Sequence, residues 1–126
     1  MPHLRIVLAL GCLALAPAAC ARHRARAYRA VPAEWSLTID NHHWLDVEVS
    51  VLHGGQTTRV GLITAATSQS FVLPTYLLGP GGDIRLIATP IGGGQSVVTP
   101  LITIGGGQSV DWTLERTLST SSLAIH

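Results

Sequence analysis

The side chains best suited to bind a metal ion in this sequence are its histidines. His42 and His43 are adjacent, His53 follows eleven positions after His42, and His126 stands at the end of the sequence. Neighbouring residues of an extended chain point to opposite faces, so His42 and His43 are not expected to ligate one ion. A zinc site needs three or four converging ligands, and no cysteine lies near these histidines. We therefore predict ordinary loop histidines, no metal site and no cofactor.

The sequence matches none of the patterns considered for nucleophilic or acid–base catalysis. The sequence contains no Gly-x-Ser-x-Gly motif. Asp46 and Glu48 are two positions apart, which places both carboxylates on one face of an extended strand. Glycoside hydrolysis needs two carboxylates facing each other across a cleft, whereas a pair of this kind is typical of the wet face of a half-buried sheet. We predict no catalytic residues and a protein that is not an enzyme.

The three tryptophans divide into two kinds. Trp35 and Trp112 fall on the apolar side of alternating segments, which predicts that both belong to the core. Trp44 instead alternates with acidic residues and follows His43. An exposed aromatic side chain can contact a protein or a sugar, or it can simply cover the end of a strand. Trp44 and His43 are therefore our candidate surface contact.

Glycine-rich segments can cradle phosphates, and one such segment occurs twice here. The heptapeptide Ile-Gly-Gly-Gly-Gln-Ser-Val spans residues 91–97 and again 104–110. Phosphate-binding loops lead into a helix, and the P-loop adds a lysine, but the residues after both copies have the alternation of a strand. We predict two similar connections between strands rather than a phosphate site.

The first residues of the sequence have the features of a segment that directs export. Arg5 precedes an apolar run at Ile6–Leu15, and small residues then lead to Cys20. This is the layout of a secretory signal peptide, predicted here for residues 1–19. The apolar run is shorter than the roughly 20 residues that a transmembrane helix needs.

The ending Ala18-Ala19-Cys20 resembles the lipobox of bacterial lipoprotein precursors. In that family the cysteine thiol receives a diacylglyceryl group, and cleavage leaves this cysteine as the first residue. The family prefers leucine where this sequence has Pro17, and the alternative is ordinary cleavage after Ala18. Cys12 would be removed with the signal peptide, and acylation accounts for the one thiol that remains. The resemblance implies that Cys20 is the lipidation site.

The charged residues, 12% of the chain, are unevenly distributed although the formal net charge is only +1. Four arginines crowd residues 20–34, whereas acids outnumber arginines after that point. We predict that 20–34 is a basic, lipid-anchored linker, either lying on anionic headgroups or simply solvated. An exported chain seldom meets nucleic acid, so nucleic-acid binding is not expected.

Alternation of apolar and polar residues dominates residues 35–126. Short strands recur about every ten residues with glycine or proline between them, which predicts an all-β fold: a small antiparallel β-sandwich of seven or eight strands. The predicted strands begin near Trp35, Leu45, Thr57, Ser68, Ile84, Val97, Val110 and Ser122.

The segment from Ile39 to Ile125 is similar to short uncharacterised bacterial lipoproteins with a transthyretin-like or immunoglobulin-like sandwich. The shared positions are Asp40-Asn41, Trp44, Asp46-Val47, Gly54-Gly55, Phe71-Val72-Leu73-Pro74, Gly81-Gly82, Gly106-Gly107-Gln108, Val110 and the closing 118–125. The resemblance implies a fold but no activity. We therefore expect an exported, membrane-anchored envelope protein, on the periplasmic or outer-membrane face in a Gram-negative cell, with a structural or protein-interaction role. A carbohydrate or small-ligand binding module is the alternative, and a secreted enzyme is less favoured.

Overall fold

The computed structural model describes residues 32–126, which form nine β-strands and three single 3₁₀ turns. The turns are Thr75–Leu77, Pro80–Gly82 and Leu118–Thr120. The strands are β1 (Glu34–Asn41), β2 (Val47–His53), β3 (Gln56–Ile63), β4 (Ser68–Pro74), β5 (Asp83–Pro90), β6 (Val97–Val98), β7 (Ile102–Thr103), β8 (Ser109–Leu114) and β9 (Ser122–Ile125).

The strands form two sheets. Sheet I has the order β4-β1-β8-β9, and sheet II has the order β3-β2-β5, with β6 and β7 both paired to β5. All neighbours are antiparallel except β1 and β8, which run parallel. The predicted all-β sandwich is thereby confirmed. The parallel pair was not anticipated, because it joins segments about 70 residues apart and has no local sequence signal.

The alternating residues of the central strands build the core between the sheets. Trp35, Leu37 and Ile39 of β1 are buried, and so are the inward-facing residues of β2, β5 and β8. Trp112 of β8 is 2% exposed, as is Trp35, which confirms that both tryptophans belong to the core. Burying a Leu or Ile side chain such as Leu37 or Ile39 stabilises the fold by about 1.5–3 kcal/mol relative to leaving it exposed.

Two of the predicted strands differ from those observed. The segment 97–104 was expected to be one strand in which Pro100 indicates a sheet edge or a bulge. It does lie at the edge beside β5, but it is divided at Pro100 into β6 and β7, because proline has no N–H to donate to the ladder of β5. This division brings the number of strands to nine. Leu45 was expected within the second strand, but β2 begins at Val47 and Leu45 lies in the preceding loop.

The sequence His53-Gly54-Gly55-Gln56 has the pattern of a hairpin turn, and the structure forms this hairpin between β2 and β3. Gly54 and Gly55, both with positive φ, form its two-residue turn. Positive φ at both positions gives the turn a twist that matches the right-handed twist of the flanking strands.

Candidate interaction surface

Four connections between strands lie at one end of the sandwich, which we call the distal end. They are residues 42–46, 64–67, 91–96 and 115–121. The described chain enters at the opposite, proximal end, where the N–H of Gly107 donates a hydrogen bond to the carbonyl of Glu34 at 2.7 Å. The first described residues therefore lie at the proximal end, and the distal loops lie at the opposite end of the domain.

A buried asparagine organises the distal end. Asn41, with 0% exposure, donates from its amide nitrogen to the carbonyls of Leu45 (3.2 Å), Ile63 (3.1 Å) and Thr64 (3.3 Å). Its side-chain oxygen accepts a hydrogen bond from the backbone N–H of His43 at 2.9 Å. One side chain thus fixes the 42–46 loop to the end of β3, and burial makes these hydrogen bonds costly to lose.

The loop held by Asn41 presents a tryptophan to solvent. His43 is buried at 7% exposure, and its Nδ1 accepts a hydrogen bond from the N–H of Leu45 at 3.1 Å. Trp44 stacks on the His43 ring with the ring centroids 5.8 Å apart and the planes inclined by 25°, yet Trp44 itself is 72% exposed. The two residues named from the sequence therefore meet, but in different roles: Trp44 forms the surface, and His43 supports it from below.

The two carboxylates that share a face are engaged separately. Asp46 accepts a hydrogen bond from the N–H of Ala65 at 2.9 Å, which ties the 42–46 loop to the 64–67 turn. Glu48 accepts one from Nε of Arg59 at 3.0 Å, an exposed ion pair across β2 and β3. Neither carboxylate faces the other across a cleft. Across residues 32–126, no group of three or more His, Cys, Asp or Glu side chains is arranged to hold a metal ion.

An open polar cleft lies beside His42, which is half-exposed whereas its neighbour His43 is buried. Nε2 of His42 lies 2.9 Å from a carboxylate oxygen of Asp40, and Nδ1 lies 3.7 Å from one of Glu115. The cleft has a volume of about 880 Å³ and also includes Ala66, whose φ of 58° is a strained value for a residue other than glycine. The residues that line it are Asp40, His42, Ala66, Glu115, Arg116, Thr117 and Thr120, so Trp44 is not among them.

His53 differs from the loop histidine that its hairpin position predicts. Its Nε2 is buried and has no hydrogen-bond partner within the described part of the chain. The residue borders a proximal cleft of about 410 Å³ together with Asp83, Arg85 and Leu101. His53 is half-buried, and part of the cleft beside it comes from chain segments about 30 to 50 residues away, which a local pattern cannot reveal.

Asn41 is the residue whose role in the candidate surface the sequence analysis missed, although a signal for it existed. The alternation that places Trp35, Leu37 and Ile39 inside continues to position 41, where it puts a polar residue on the buried side. A buried amide must find hydrogen-bond partners, and the ends of strands offer free carbonyls. A polar residue at an inward position of this kind therefore indicates an organiser of loops.

The lipidation site predicted at Cys20 and the basic linker up to residue 31 lie outside the described residues. In the part of the chain that is described, no helix has the length and apolar character to cross a membrane.

No protein-family model matches this chain, and no curated protein does. A solved structure that resembles it is the "NMR structure of the protein from Eubacterium rectale", with 13% sequence identity and a TM-score of 0.43. The similarity covers 75% of this chain and 87% of that one. At this level it supports no inference about function.

Proposed function

We propose that this chain is an exported, lipid-anchored envelope protein whose β-sandwich is a non-catalytic protein-interaction module, with Trp44 as the anchor of its contact. The export half rests on the sequence: Arg5, the apolar run Ile6–Leu15, the small residues that follow, and Cys20 as the thiol that accepts lipid. A diacylglyceryl group carries two chains, which is what stable membrane anchoring requires.

The observation that carries the interaction half is the exposure of Trp44 on a fixed support. A tryptophan that is 72% exposed keeps a large apolar surface in water, and binding to a partner would remove that surface. Because His43 and Asn41 already hold the loop, little conformational entropy remains to be lost on binding. Buried tryptophans are frequent hot spots of protein interfaces. A partner with an apolar pocket, surrounded by polar groups, fits this surface.

The test is recovery of envelope proteins with the affinity-purified full chain from solubilised membranes. Trp44→Ala is compared with Tyr76→Ala, which removes an aromatic side chain of similar exposure (79%) outside the distal loops. Loss of a hot spot weakens binding by about 2 kcal/mol or more, so the recovered partner should fall at least about tenfold in Trp44→Ala. It should remain within about twofold in Tyr76→Ala. Equal recovery with both variants, at any level, contradicts the proposal.

The second candidate is a carbohydrate or small polar ligand bound in the cleft beside His42. The observation that favours it is a polar lining that includes Glu115 and Arg116 together with the strained Ala66. Such a ligand would be bound by hydrogen bonds, without Trp44. Retention of oligosaccharides on a glycan array that is lost in His42→Ala but kept in Trp44→Ala would establish this candidate in place of the first.

A further inference from the structure

The two sheets have four edges, and three of them carry features that discourage pairing with another strand. β3 contains a bulge beside Arg59, β6 and β7 are two residues long with Pro100 between them, and β9 has only four residues. Charge, bulges, proline and shortness are the means by which natural sheets protect their edges.

The fourth edge, β4, carries none of these features over residues 68–73, and its one proline, Pro74, is the last residue of the strand. It has seven residues, and its register with β1 runs from Pro74 to Ser68 without a bulge. Between Arg59 and Asp83 the sequence contains no charged side chain. Val72, near the end of this strand, is 68% exposed.

The hydrogen bonds at the two ends of β4 establish which of its backbone groups are free. Asn41 N–H donates to Thr67 O at 2.9 Å, and Thr75 N–H donates to Ala33 O at 2.8 Å. Antiparallel pairs alternate between bonded and non-bonded, so residues 69, 71 and 73 bond to β1. The N–H and C=O groups of Ser68, Ser70 and Val72 therefore point away from the sheet, and no hydrogen bond joins them to other residues in the range 32–126.

We propose that β4 pairs antiparallel with β4 of a second copy of this chain, joining two four-stranded sheets into one of eight strands. With Ser70 opposite Ser70, Ser68 of each copy lies opposite Val72 of the other, and each copy donates three hydrogen bonds and accepts three. A twofold axis places like residues close together, so a charged edge would repel its own copy, whereas this uncharged edge does not. The exposed part of Val72 is then partly covered.

Cysteine cross-linking in membranes that contain the full chain tests the pairing. Ser70→Cys is compared with Ser122→Cys, which changes the same residue type at the opposite edge of the same sheet. Directly opposed residues of a bonded pair have Cα atoms about 5.5 Å apart, which is within disulfide range. Mild oxidation should yield a dimer from Ser70→Cys at least about fivefold more efficiently than from Ser122→Cys.

A second variant separates pairing from chance collision. Val72→Lys, at an exposed position where the fold tolerates lysine, should lower the Ser70→Cys dimer yield at least about threefold, because it introduces charge at the edge. Similar yields from the two cysteine variants, or no effect of Val72→Lys, would overturn the proposal. A cross-linked product whose mass is not twice that of the chain would overturn it in favour of a foreign strand.

Discussion

The heptapeptide Ile-Gly-Gly-Gly-Gln-Ser-Val lies at both ends of the sandwich and adopts a different structure at each. The distal copy, 91–97, links β5 to β6, and the proximal copy, 104–110, links β7 to β8, so both are the strand connections that the sequence predicts. In the distal copy all three glycines have positive φ, whereas in the proximal copy only Gly107 does. Identical residues thus give two loops, and the difference must come from their surroundings.

The proximal copy is held by neighbours that the distal copy lacks. Ile104 is 2% exposed, while the equivalent Ile91 is 47% exposed. The side chain of Gln108 accepts a hydrogen bond from the N–H of Gly105 at 2.7 Å. The backbone carbonyl of Gln108 accepts one from the N–H of Ser36 at 3.0 Å. The comparison teaches that the proximal copy is consolidated by packing, whereas the distal copy is more exposed and is tied to the 42–46 loop by the Ile91 N–H, which donates to Asp46 O at 2.8 Å.

Replacing the isoleucine that begins each heptapeptide should give the largest difference in the free energy of unfolding between the two copies. Ile104→Ala removes a fully buried side chain and leaves a cavity, so it should lower the free energy of unfolding by about 2–5 kcal/mol. Ile91→Ala should change it by no more than about 0.5–1 kcal/mol, because half of that side chain is already in water. Urea unfolding followed by tryptophan fluorescence measures both. Equal losses would mean that the two loops are packed alike.

Asn41→Ala tests whether part of the distal end is as well fixed as the proximal end. The substitution leaves buried carbonyls without their donor, and it should lower the free energy of unfolding by about 1–3 kcal/mol. His42→Ala, at the exposed neighbouring position, is the control and should cost about 0.5 kcal/mol or less. The same unfolding experiment applies. A neutral Asn41→Ala would show that the 42–46 loop does not depend on this amide.

Replacing the first glycine of each heptapeptide with alanine should change the stability by a smaller amount, and the change should differ in sign between the two copies. Gly92 has a φ of 89° with no atom within 4 Å of an added Cβ, so Gly92→Ala incurs backbone strain alone, about 1 kcal/mol. Gly105 lacks a positive φ, and an added Cβ would meet only Gln108 Oε1 at 3.5 Å. Gly105→Ala should be neutral or stabilise the fold by about 0.4–1 kcal/mol through the unfolded chain. Thermal unfolding midpoints that move in the same direction for both variants would contradict the assigned backbone conformations.

Replacing the glutamine of each heptapeptide should give the smallest difference in the free energy of unfolding. Gln108→Ala removes the hydrogen bond to Gly105 and should lower the free energy of unfolding by about 1 kcal/mol. Gln95→Ala, at the equivalent exposed distal position, should be close to neutral. Amide hydrogen exchange refines the result, since the N–H of Gly105 should lose protection in Gln108→Ala. Unchanged protection would show that the Gln108 side chain does not hold the loop.

Local sequence predicted what depends on alternation and missed what depends on distant partners. The inward positions of β1 follow from a period of two residues, which any half-buried strand obeys. Trp44 is exposed, but it lies in the 42–46 loop, so strand alternation does not account for its exposure. The division at Pro100 required knowing that β5 pairs with both sides of that residue. For the same reason, the two heptapeptides could not be distinguished from each other by their own residues.

A difference in function between the two ends of the sandwich requires that the chain be held at the proximal end. The lipid proposed for Cys20 would hold it there. The most direct test is the intact mass and N-terminal residue of the mature protein extracted from membranes, together with those of Cys20→Ser. The account predicts an N-terminus at Cys20, a mass above that of the polypeptide by a diacylglyceryl group or more, and a Cys20→Ser variant that stays uncleaved or becomes soluble. An N-terminus at Ala19 with an unmodified thiol on Cys20 would contradict it.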